Sequence, residues 1–92
     1  MTNVNEERKP LALLTNDVQY ALVWALNKYA NRVEMYSLSR RTIIANGRTY
    51  IICNKPEDLY GIEIERYIPC FTDKATGRFR IDMERIAKTR VR

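Results

Sequence analysis

The ten residues Thr42–Ile51, TIIANGRTYI, set the reading of the whole chain. Two runs rich in β-branched residues flank Asn46-Gly47, and that dipeptide suits a type I′ turn because both central residues need φ > 0. A two-residue loop fixes the register. Ala45 then faces Arg48, Ile44 faces Thr49, Ile43 faces Tyr50, Thr42 faces Ile51 and Arg41 faces Ile52. Because side chains alternate along a strand, Arg41, Ile43, Ala45, Arg48, Tyr50 and Ile52 share one face, while Thr42, Ile44, Thr49, Ile51 and Cys53 share the other. Neither face is polar, which predicts a hairpin covered on both sides with arginines at its rim.

Upstream of the hairpin, TND at 15–17 supplies cap residues, and Asn16 followed by Gln19 resembles a capping box. A helix over about 17–31 follows. At 100° per residue Val18, Ala21, Leu22, Ala25, Leu26 and Tyr29 form one wide apolar face, and Tyr20 and Trp24 fall on the other side with Lys28 and Asn31. PLALL before the helix reads either as a short edge strand or as an approach to it, and VEMYSL after it reads as a strand.

Downstream, KPEDLYG predicts one helical turn opened by Pro56 and ended by Gly61. IEIERYIPCF reads as a half-exposed antiparallel strand with Ile62, Ile64, Ile68 and Cys70 on one face, its end marked by Pro69. After the turn TDKATG, Phe79 and Ile81 alternate with Arg78, Arg80 and Asp82 as a returning strand. The apolar spacing then changes at Met83 and Ile86, which predicts a short helix or a basic tail. The expected fold is therefore α+β: one main N-terminal helix on a small antiparallel sheet, preceded by a flexible polar arm at 1–9, with 10–92 as one domain. A winged-helix-like arrangement is the alternative, although EMYSLSRRT is short for a recognition helix.

Ninety-two residues, 46% hydrophobic and 29% charged, suffice for one core. The N-terminus shows neither a signal-peptide pattern nor a run long enough to span a bilayer, so the expected location is cytoplasmic, with no membrane partner. In a reducing compartment Cys53 and Cys70, both in apolar runs, are expected as free core thiols. There is no histidine, no metal-ligand spacing and no phosphate-binding loop, so no catalytic residue, metal or cofactor is expected and the protein reads as non-enzymatic. Glu63 and Glu65 share a strand face, and with Asp58 they faintly suggest an acidic site. A solvated face opposite an isoleucine row explains them better.

The net charge of +5 is concentrated at one end. From Arg78 to Arg92 six basic residues stand against two acidic ones, leaving +4. Local charge density of this kind favours an acidic partner, and nucleic acid is the first expectation. The residues expected to bind it are Arg40, Arg41 and Arg48 around the hairpin and Arg78, Arg80, Arg85, Lys88, Arg90 and Arg92 at the C-terminal end, with aromatic contacts at Tyr20 and Trp24. The alternative is a small protein-binding factor of the phage or mobile-element type, an inhibitor, adaptor or assembly subunit, anchored by the Tyr20/Trp24 face. The same face would serve a homodimer.

Overall fold

A computed structural model describes residues 8–92; the polar arm expected at 1–9 therefore lies largely outside the described residues. The chain forms β1 (Leu11–Leu14), α1 (Val18–Tyr29), β2 (Val33–Ser37), β3 (Thr42–Ala45), β4 (Arg48–Cys53), β5 (Tyr67–Pro69) and α2 (Gly77–Arg90). Short 3-10 turns occupy Ala30–Arg32 and Pro56–Leu59. Two helices on a five-stranded mixed sheet make the fold α+β.

The sheet order is β2-β3-β4-β1-β5. The β3–β4 hairpin has the register expected, with Ala45 opposite Arg48 and Thr42 opposite Ile51. Asn46 and Gly47 both adopt positive φ, 56° and 70°, as a type I′ turn requires. β2 pairs antiparallel to β3 with a bulge near Glu34, whose carboxylate accepts the N–H of Gly47 at 2.8 Å and so braces the turn.

β1 is the main departure from the sequence expectation. It is neither an edge nor an approach but an inner strand, parallel to β4 on one side and to β5 on the other. All four residues of LALL are fully buried. A strand covered on both faces has no polar alternation, and this unbroken apolar run was the available signal.

β1 also divides the core. Leu11 and Leu13 join Ala21, Leu22 and Ala25 of α1 in one cluster that includes Ile43, Ala45, Tyr50 and Ile52. Ala12 and Leu14 point the opposite way and join Met83 and Ala87 of α2, with Cys53, Leu59 and Ile64. The hairpin face that carries Ile43, Tyr50 and Ile52 is thus closed by α1. Its other face is not covered as expected: α2 packs on β1, β5 and the 56–59 turn, so Cys53 is buried while Ile44 and Ile51 are only half-buried and Thr49 is exposed.

Three local readings also change. The α1 N-cap is Asp17, which accepts from Tyr20 N at 3.1 Å, rather than an Asn16–Gln19 box; Asn16 instead exchanges two hydrogen bonds with Thr72 across the fold. The stretch 62–71 is not one strand. Only Tyr67–Pro69 is strand, Ile64 belongs to the α2 cluster and Ile68 and Cys70 to the α1 side, because the chain bends where the Arg66 carbonyl accepts Ala12 N. Finally, residues 77–81 are helix rather than returning strand. Thr76 caps α2 by accepting from Phe79 N at 3.1 Å, and Phe79, Met83, Ile86 and Ala87 then fall on one helical face, leaving Ile81 67% exposed.

Candidate nucleic-acid interface

The expected arginines do not form one surface, because the two ends of the sheet separate them. At the end where β4 finishes, Arg41 reaches Asn54 Oδ1 at 2.8 Å and Asp58 Oδ2 at 3.3 Å, and Asp58 also accepts Asn54 N at 3.0 Å. Arg41 holds positive φ, 54°, a costly conformation for a residue with a Cβ, and this network secures it there. Its charge ties the start of β3 to the 56–59 turn. At the opposite end Arg48 pairs with Glu65. That guanidinium holds the Glu65 carboxyl below the ordinary carboxylate range, chiefly through the hydrogen bond.

The helix arginines divide in the same way. Arg80 donates to the Thr72 carbonyl at 3.1 Å and lies over the Phe71 ring, 5.6 Å from its centroid, and Arg90 donates through Nε to the Ile62 carbonyl at 2.8 Å. Both lay their stems against the fold and are half-buried. Arg92 pairs with Glu63 at 3.4 Å, and Lys9 approaches the same carboxylate at 3.7 Å. With Glu65 on Arg48, both members of the suspected carboxylate pair are held by cations. Among the described residues no cluster of three Cys, Asp or Glu side chains is arranged to hold a metal ion.

Arg78, Arg85 and Lys88 behave differently. They project from α2 into solvent at spacings of seven and three residues, about 10 Å and about 5 Å along the axis, with exposed Ile81 among them. Arg85 has one ion-pair partner among the described residues, Asp82, one turn earlier, at 3.2 Å, and its side chain remains 71% exposed. Arg78 and Lys88 have no ion-pair partner among the described residues, nor does Arg40 in the turn between β2 and β3. The geometry therefore leaves one basic helix face free of the fold.

The aromatic candidates also separate. Tyr20 is exposed, but Trp24 is half-buried against the α1 cluster, edge-on to Tyr29 with ring centroids 6.4 Å apart, and Lys28 Nζ stands 5.4 Å from its ring. Further apolar surface lies on the edge strand β2 and the turn beyond it, where Met35, Tyr36 and Leu38 are about half exposed. Cys53 and Cys70 are free and buried, and burial pushes their thiols up to about 12 and about 11. No helix of the described residues is long and apolar enough to cross a membrane.

Fold and surface together define a small α+β protein with one solvent-facing basic helix. No known protein family, curated protein or solved structure matches this chain.

Proposed function

We propose that this chain is a non-enzymatic nucleic-acid-binding protein that contacts the phosphate backbone through the outer face of α2, working in the cytoplasm. The observation that carries this reading is the row Arg78, Arg85 and Lys88 on the solvent side of a 14-residue helix. A rigid helix presenting cations at fixed intervals suits a polyanion, because each neutralised phosphate releases counterions. Arg40 is a further free cation. Arg41, Arg48, Arg80 and Arg90 are held within the fold, so they contribute field rather than contact.

The test is binding of single- and double-stranded oligonucleotides at about 50 mM and about 200 mM salt. Three to four phosphate contacts should give a slope of log K against log salt of roughly −2.5 to −3.5. A flat salt response would sink the proposal. A second reading, a protein-binding factor, is favoured by exposed Met35, Tyr36 and Leu38 on and beside β2, which has no strand on its outer side among the described residues. It predicts a partner affinity that collapses on Tyr36→Ala and tolerates salt.

A further inference from the structure

The parallel strands β4, β1 and β5 end side by side at Cys53, Leu14 and Pro69. Beyond those ends the chain diverges: after β1 it enters α1 on one face of the sheet, while after β4 and β5 it enters the 56–59 turn and α2 on the other. Where neighbouring parallel strands send their connections to opposite faces, the loops part and a crevice opens at the carboxyl ends. In this protein the crevice is a cleft of about 320 Å³ lined by Asn16, Asn54, Lys74, Ala75, Thr76 and Phe79.

The polar groups of that wall are unequal. Asn16 is engaged with Thr72 in both directions, at 2.7 and 2.8 Å, and serves as scaffold. The carboxamide of Asn54 is oriented by Arg41, which donates to its oxygen at 2.8 Å, so the –NH₂ group is left as a donor. Thr76 accepts from Phe79 N and keeps its hydroxyl proton to give. Lys74 is exposed and has no ion-pair partner among the described residues. Among the described residues no carboxylate lines the cleft, and the nearby Asp58 is occupied by Arg41 and Asn54 N. A lining that combines these donors with the half-buried Phe79 side chain suits an anion that carries a flat or apolar group.

We infer that this cleft binds a phosphate-bearing group, with Lys74, Asn54 and Thr76 as its donors. The site stands apart from the outer face of α2 and does not depend on the reading proposed above. Two sources share this chemistry, a free mononucleotide and the 5′-phosphorylated end of a nucleic-acid strand.

The test follows backbone and Asn side-chain amides of the full chain by NMR during titration with inorganic phosphate and with AMP, against chloride at matched ionic strength. Saturable shifts are expected at the Asn54 side chain and at the amides of Lys74 and Thr76. Lys74→Gln removes one charge-assisted hydrogen bond and should raise the dissociation constants about tenfold. A matched pair of oligonucleotides, one 5′-phosphorylated and one 5′-hydroxyl, separates the sources. A gain for the phosphorylated strand that Lys74→Gln abolishes assigns the strand end, and AMP binding more tightly than phosphate without such a gain assigns the free nucleotide. Shifts no larger than those in chloride, or dissociation constants unmoved by Lys74→Gln, overturn the inference. Phosphate that saturates the cleft of a protein that binds neither oligonucleotide would sink the α2 reading alone.

Discussion

Helices α1 and α2 press on opposite faces of one sheet, yet they meet it with different chemistry. α1 carries one charged residue, Lys28, in 12 and closes its face with Ala21, Leu22 and Ala25. α2 carries seven charged residues in 14 and buries only Met83 and Ala87, with Phe79 and Ile86 half-buried beside them. The rest of its inner face is arginine: Arg80 lies along Phe71 and Arg90 reaches the Ile62 carbonyl. An arginine stem can cover apolar surface while its head finds an acceptor, so a helix can be docked without looking amphipathic. The same property frees the outer face of α2 for charge, whereas α1 has little to offer a polyanion.

The largest test of this comparison uses the two neighbouring leucines of β1. Leu13→Ala opens a cavity under α1 and Leu14→Ala opens one under α2; each should cost about 3 to 5 kcal/mol in denaturant unfolding. A cost below about 1 kcal/mol for Leu14→Ala would mean that α2 does not close its face.

Alkaline pH should reveal both cores next. Cys53 lies in the α2 cluster and Cys70 in the α1 cluster; their thiols rise from 9.0 to about 12 and about 11, and Tyr29 rises from 10.0 to about 12 through burial and its Tyr50 neighbour. These groups hold their protons more tightly when folded, so the stability they contribute is complete below about pH 9. It is lost as pH climbs toward 11 to 12, where the folded groups also ionise. The melting temperature should fall across that window, and Cys53→Ala should flatten part of the fall. At pH 8 both thiols should resist a disulfide exchange reagent until the chain unfolds; rapid labelling of native Cys53 would break the claim that the α2 side is closed.

Smaller effects separate held arginines from free ones. Arg41→Ala removes one of the two partners of Asp58 and the side-chain tether of a positive-φ turn residue, so it should cost about 1 kcal/mol. Arg85→Ala should change stability by less than about 0.5 kcal/mol. Equal costs would dissolve the distinction.

Smallest in stability, though not in binding, are Arg78→Gln, Arg85→Gln and Lys88→Gln. Each should leave the unfolding curve within about 0.5 kcal/mol of the parent, weaken oligonucleotide binding evenly and reduce the salt slope by about 1. One dominant loss among the three would favour a specific protein contact.

What the sequence by itself determined was local. Asn46-Gly47 permits two successive positive-φ residues, so the hairpin and its register follow from ten residues. The α1 stripe is legible because its inner face is apolar without interruption, and the buried cysteines follow from their apolar neighbours. Concentration of charge after Arg78 was equally visible.

Tertiary structure decided which neighbours those elements would have. LALL became an inner strand because β4 and β5 both pair with it, a placement that rests on hydrogen bonds to residues about forty and fifty-five positions away. The alternation of Phe79, Ile81 and Met83 fitted a strand until the docking of Met83 and Ala87 on β1 selected the helix and left Ile81 outside. Of the nine cations expected to bind, only packing could distinguish Arg41, bound to Asp58, from Arg85, bound to its own helix. A guanidinium in the sequence has no stated partner, and the fold supplies one only when a carboxylate or carbonyl from a distant element arrives within reach.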